Sequence, residues 1–269
     1  MGGNRLPTIT VTLGTLMGFK SFIKKTVRSA THTLSSMVYY TDITCLACGA
    51  ELDTQNSSGL CDDCPVCYNK KFCERCGVPM ANDAIFCESC IKHGMFEFEY
   101  ARSCVKFNDT AKKLIYNLKY GDAKFLAEPL GNYLYETACD NRMQFDVVVS
   151  VPLHKKRQQV RGYNQSEILA KSFTKHAGKP YVHALNKLTH AKNLATLSRQ
   201  ERQKTITGSF GLRKEAHTMI KDKNVLLIDD VLTTAATANE CARILKKEGK
   251  ANSVKVLTFT SVSLENSKH

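Results

Sequence analysis

The stretch NVLLIDDVLTTAAT, residues 224–237, decides how the rest of the chain is read. Its first five residues form an almost unbroken apolar run, the pattern of a parallel strand buried on both faces. Two carboxylates follow, Asp229 and Asp230, and then a short polar turn containing Thr233, Thr234, Ala235 and Ala236. From about Thr237 to Lys247 the apolar residues recur at helical spacing. Residues 146–151 (DVVVSV) and 254–260 are two more strand-like runs, and 111–118, 125–139 and 166–173 read as helices. Alternating strands and helices imply a mostly parallel sheet with helices on both faces. Ligands bind such sheets at the carboxyl ends of the strands. Two carboxylates there can accept hydrogen bonds from a ribose diol and help organise a magnesium shell. The free N–H groups of the following helix, with the hydroxyls of Thr233, Thr234 and Thr237, suit a phosphate monoester.

The whole chain has 269 residues, of which 43% are hydrophobic and 23% charged. That is ordinary globular composition and argues against a disordered chain. No run of 18 apolar residues occurs, which argues against a membrane-spanning helix. The net charge of +13 is unevenly placed, since residues 146–215 alone carry +10 while residues 45–93 carry −3. Such a concentration points to a polyanionic partner, either phosphates or nucleic acid.

Twelve cysteines would suit a secreted disulfide scaffold, but nine of them lie between Cys45 and Cys90. They form CxxC pairs: Cys45/Cys48, Cys61/Cys64, Cys73/Cys76 and Cys87/Cys90. The run CLACGAEL at Cys45 is repeated in outline by CERCGVPM at Cys73. Two thiolates separated by two residues can grip one Zn²⁺ from a tight turn, and two such turns complete a closed tetrahedral site. The spacing therefore predicts two structural zinc ribbons in series. Two residues also separate Cys64 from Cys67, so Cys64/Cys67 competes with Cys61/Cys64 as the second pair of the first site. Cys104, Cys139 and Cys241 lie in apolar patterns and are expected in the core.

Before Asp42 the chain carries no acidic residue, and apolar residues from Leu16 to Met37 recur at steps of three and four. This basic amphipathic segment reads as an anionic-membrane contact, a transit peptide or a docking helix. The resulting division is a basic, helical extension (1–43), a double zinc ribbon (44–93) and an α/β domain (94–269).

VLLIDDVLTTAAT resembles the phosphoribosyl-diphosphate (PRPP) binding signature of type I phosphoribosyltransferases. ARSCVKFNDTAKKLIYNLKYGDAKFLAEPLG, VVSVPLHKKRQQVRGYNQSEILAKSF and LSRQERQKTITGSF resemble recurrent segments of the ComF family, in which a double zinc ribbon precedes a phosphoribosyltransferase-like domain. The resemblance covers most of residues 44–262. It implies a mostly parallel, twisted sheet of the type I phosphoribosyltransferase fold. It also implies that PRPP or a related ribose phosphate binds with Mg²⁺ at Asp229, Asp230, Thr233, Thr234, Ala235, Ala236 and Thr237. Residues 152–161 correspond to a pyrophosphate loop, with Lys155, Lys156, Arg157 and Arg161 meeting diphosphate or DNA phosphate. Residues 197–210 correspond to the family's mobile loop, bringing Arg199 and Arg202. Ala235, Leu194 and Thr205 depart from the usual Gly, Gln and Asn. If residue 235 needs positive φ, Ala costs about 1–2 kcal/mol there.

The family's association is with uptake of single-stranded DNA in the cytoplasm or at the inner face of the membrane. A DNA-uptake helicase or channel is the implied protein partner. The competing expectations are an active phosphoribosyltransferase with an unassigned acceptor and catalytic residue, and a non-catalytic zinc and DNA-binding scaffold. Tyr163 and Tyr181 are the candidate stacking aromatics, Tyr163 being equally suited to the core.

Overall fold

A computed structural model of the protein describes residues 44–53, 59–94, 96–189 and 206–262. These residues fall into two compact units. The smaller includes Gly49–Cys61, and the larger includes Leu46–Cys48 and the chain from Asp62 onward. The amphipathic 16–37 segment and Arg199, Arg202, Leu194 and Thr205 lie outside the described residues.

In the larger unit, α1 (Glu88–His93) closes the second cysteine module. There follow β1 (Ala101–Lys106), α2 (Asp109–Tyr120), α3 (Ala127–Asp140), β2 (Val147–Ser150), α4 (Lys155–Arg161) and α5 (Gln165–Ala177). The chain continues through β3 (Leu185–Lys187), β4 (Phe210–Leu212), α6 (His217–Ile220), β5 (Asn224–Leu232), α7 (Ala236–Lys247) and β6 (Ser253–Ser261). The main sheet has the order β1-β6-β5-β2, and every pairing in it is parallel. Tyr181 extends it beyond β2 through a parallel bridge to Val148. A separate antiparallel pair, β3-β4, stands beside it.

The central strands are buried on both faces, as their unbroken apolar runs require. Val225, Leu227, Val254 and Val256 share a core with Cys241, Ala242, Ile244 and Leu245 of α7. Side chains alternate along a strand, so Leu226 and Leu257 point to the other face, where α3 packs on β1 and β6 and α5 packs on β5 and β2. Asn108 caps α2 by accepting from the Ala111 N–H at 2.8 Å. Asn164 caps α5 and also donates to the Val151 carbonyl at 3.0 Å, tying the segment after β2 to the start of that helix.

Three findings differ from the sequence reading. Strand β5 does not stop at Ile228 but runs to Leu232, because β6 is equally long and the ladder continues through Asp229↔Thr258 to Leu232↔Ser261. The acidic pair therefore lies within the strand, at its sixth and seventh of nine residues. Strand β1 went unread, its apolar run being broken by Arg102 and Ser103. Cys139 is exposed rather than in the core, whereas Cys104 and Cys241 are buried. On α3 the inward positions of the last turn go to Thr137 and Ala138, leaving Cys139 on the solvent side.

Candidate functional site: two cysteine clusters, an acidic pair and a basic cleft

The four CxxC pairs assemble as two sets, Cys45/Cys48/Cys61/Cys64 and Cys73/Cys76/Cys87/Cys90, with ligand atoms within 4.8 Å of one another in each. A tetrahedral zinc with bonds of about 2.3 Å requires sulfurs about 3.8 Å apart. Cys76 and Cys87 place theirs at 3.7 Å. Backbone N–H groups support the sulfurs, with Cys61 N–H donating to Cys45 Sγ and Cys87 N–H to Cys73 Sγ, both at 3.4 Å. Both sets can hold zinc, and the donor chemistry fits a closed, structural site. Cys67 is not in either set. Its carbonyl accepts from Lys106 N–H at 2.7 Å, so it belongs to the join with β1.

That join is extensive. Asn69 N–H donates to the Cys104 carbonyl, Ala101 N–H donates to the Arg75 carbonyl, and Tyr68 bridges Val105. The Arg102 guanidinium pairs with Glu74 and lies over the rings of Phe72 and Tyr100. The second cysteine module thus covers the edge strand of the sheet, satisfying backbone groups that an open edge would leave unpaired.

At the carboxyl end of β5, Asp229 accepts from Ser166 Oγ at 2.7 Å and from the Asp230 N–H at 2.9 Å. Asp230 is 4% exposed and pairs with the ammonium of Lys119, from the last turn of α2. Burial first, and the neighbouring Asp230 carboxylate second, push the Asp229 carboxyl up from 3.8 to about 7. A proton bound more tightly in the folded chain stabilises it below the unfolded value, and that stability is lost as pH rises through about 7. The apo protein should therefore lose stability between pH 4 and 7 through this group. Urea titrations across that range should show a flatter profile for Asp229→Asn.

Beyond β5, Thr233, Thr234 and Ala235 form the turn, and Ala236 and Thr237 open α7. The first-turn N–H groups of α7 have no partners within the helix. Ala235 adopts φ 60°, the left-handed region. Its methyl is buried, and the turn keeps the geometry for which Gly is the least strained residue. Ala235→Gly should raise stability by about 1 kcal/mol, the relief of strain exceeding the added unfolded-state entropy. Thermal denaturation with and without the substitution measures it.

Sequence reading missed three side chains around this site. Ser166 and Lys119 touch the acidic pair directly. Lys187, on β3, senses the charges of Asp229 and Arg157, and burial is the main force holding its ammonium below the usual lysine range. Ser166 is adjacent to the NQ element, but Lys119 and Lys187 come from α2 and β3, which no local motif ties to β5.

The basic residues expected after β2 divide between two grooves. Lys156, Arg157 and Arg161 line a cleft of about 850 Å³ together with Lys119, Lys124 and Tyr120. Lys155 instead lines a groove of about 500 Å³ with His154, Lys187, Arg213 and Lys214. Tyr163 is buried and donates its hydroxyl to the Leu118 carbonyl, tying the segment after α4 to α2, and Lys124 lies over its ring. The Tyr181 hydroxyl is engaged with Ser150 Oγ at 2.9 Å. The exposed aromatics near the cleft are Tyr116 and Tyr120, whose ring centroids are 5.1 Å apart. Among the described residues no helix is long and apolar enough to cross a membrane.

A parallel sheet with an acidic pair at a strand end and a threonine-rich turn into a helix defines a phosphoribosyltransferase-type α/β protein. A family model described as uracil phosphoribosyltransferase matches residues 117–264. Competence protein F of Haemophilus influenzae is 25% identical over 222 residues, covering 79% of this chain and 95% of that protein. Competence protein ComFC of Bacillus subtilis is 27% identical over 194 residues, covering 70% and 76%. Among solved structures, adenine phosphoribosyltransferase from Thermoanaerobacter pseudethanolicus aligns with 15% identity and a TM-score of 0.30, over 49% of this chain and 79% of that one. The chain belongs to the ComF family of phosphoribosyltransferase-fold proteins.

Proposed function

We propose that this protein binds PRPP, or a related ribose phosphate, at the carboxyl end of β5, and single-stranded DNA along the basic cleft, as part of DNA uptake. The observation that carries the reading is the placement of Asp229 and Asp230 near the end of β5, two residues ahead of the Thr233–Thr237 segment that turns into α7. The carboxylates are positioned for the ribose hydroxyls, and the N–H groups and hydroxyls of the turn for the 5′-phosphate. Asp229 offers the hard oxygen that Mg²⁺ prefers, and bound Mg²⁺ would offset diphosphate charge. Lys187, which senses the charge of Asp229, and Arg157, whose charge Lys187 also senses, would meet the remaining phosphate charge. Ala235 keeps the left-handed turn despite its side chain, which favours a retained binding loop over a lapsed one.

The DNA half of the proposal draws on the five cations of the cleft and on the exposed rings of Tyr116 and Tyr120, which are tilted by 47° to each other, with Arg161 over Tyr120. Cations hold a phosphate backbone, and exposed rings stack on bases without sequence preference. The competence proteins among its relatives support the same direction.

Calorimetric titration of the zinc-loaded protein with Mg²⁺–PRPP tests the first half. Binding is expected in the wild type, with loss of at least 100-fold in affinity in Asp229→Asn/Asp230→Asn, on the order of 3 kcal/mol for two charge-assisted hydrogen-bond acceptors. No heat of binding with a folded wild type would overturn it.

A further inference from the structure

Lys119 belongs to both parts of the site. Its ammonium pairs with Asp230, and its side chain also lines the basic cleft with Lys124, Lys156, Arg157 and Arg161. Asp230 is nearly sealed from solvent, with 6% of its side chain exposed, whereas Lys119 retains 23%. A carboxylate this deep needs a cation or hydrogen-bond donors. An ammonium has three donors but one charge, and a phosphate in the cleft would compete for it. Ribose hydroxyls donating to Asp230 would relieve the carboxylate's need for Lys119. The cation would then be free to turn toward the cleft.

We propose that Lys119 is a shared counter-ion that couples the acidic pair to the cleft, so that occupancy of either site strengthens binding at the other. The coupling rests on the two binding sites proposed above and adds a physical link between them. Linkage requires it to be reciprocal. In the ligand-free protein Lys119 neutralises Asp230, and the cleft lacks the full use of one of its cations. With a sugar diol on the acidic pair, that cation joins the cleft.

The test is oligonucleotide binding by fluorescence anisotropy, using a fluorescein-labelled oligothymidylate about 20 nucleotides long at low salt. Asp230→Asn removes the competing carboxylate without changing the shape of the side chain. It is expected to tighten binding by roughly five-fold, the low end of ordinary coupling between sites. Lys119→Met/Asp230→Asn is expected to lose that gain and bind at least five-fold more weakly than Asp230→Asn. Both variants remove the Asp230 carboxylate that pairs with Lys119, and circular dichroism checks that each is folded. Saturating Mg²⁺–PRPP should move the wild type toward the affinity of Asp230→Asn.

A double variant that keeps the gain would show a general field effect of the lost charge and overturn the coupling. So would an Asp230→Asn protein that binds no more tightly than wild type. Failure of the wild type to bind the oligonucleotide would overturn the cleft reading, and the coupling with it. Failure to bind Mg²⁺–PRPP alone would overturn the diol reading but leave the comparison of the two variants decisive for Lys119.

Discussion

Cys73→Ser is expected to lower bound zinc from two ions per chain to one and to abolish the cooperative thermal transition of the larger unit. Apparent binding free energies of structural zinc reach about 10–16 kcal/mol in small zinc modules. That matches or exceeds the whole stability of an ordinary domain, about 5–15 kcal/mol. The consequence reaches past the module because residues 67–77 supply hydrogen bonds along β1. Once those residues unravel, β1 becomes an open edge. Elemental analysis and scanning calorimetry read the two effects separately. Cys67→Ser is the matched control and should keep both ions, since Cys67 stands outside both sets. Two ions retained in Cys73→Ser would show that the second set is not the binding site.

Gly77→Ala is expected to cost about 2–5 kcal/mol. The residue sits at φ 69°, where a β-carbon costs about 1–2 kcal/mol. The new atom would also lie 2.5 Å from the Ala101 carbonyl oxygen, a backbone group fixed in β1. Relieving that overlap adds about 1–3 kcal/mol. Gly49→Ala separates the two contributions. Its φ is 78°, but nothing lies within 4 Å of the added atom. Only the backbone cost of about 1–2 kcal/mol should appear there. Equal destabilisation at both positions, measured by urea denaturation, would contradict the close approach at Gly77.

The difference between these two glycines also marks how far sequence reading could go. The repeated CxxCG spacing made both cysteine clusters legible, because a zinc tetrahedron would constrain residues only a few positions apart. It could not show that the second module lies on a strand, since the partner is β1 and contact depends on tertiary placement. Strands β2, β5 and β6 were legible as apolar runs, whereas β1 was hidden by Arg102, whose charge is met by Glu74 and two aromatic rings. The same limit applies at the acidic pair. Asp229, Asp230 and the turn beyond them are contiguous, so they could be read together. Lys119 could not, because it reaches Asp230 from a helix more than a hundred residues earlier. Tyr163 shows the converse: in the sequence it can be a platform or a packed ring, and the hydrogen bond to Leu118 decides for packing.

The strand order has a consequence for how the molecule is made. Strand β6 is the last described element, yet it lies inside the sheet between β1 and β5. Ala101 and Val256 are paired neighbours, so the main sheet cannot close until β6, about 150 residues after β1, has left the ribosome. Pairing across such a separation is intrinsically slow and leaves strand edges exposed in the meantime. The cysteine modules precede β1 in the chain, and zinc would let such modules fold on their own. A nascent chain would therefore carry a finished cover for β1 before the strand that flanks it on the other side exists, which leaves one fewer edge for another chain to join during synthesis.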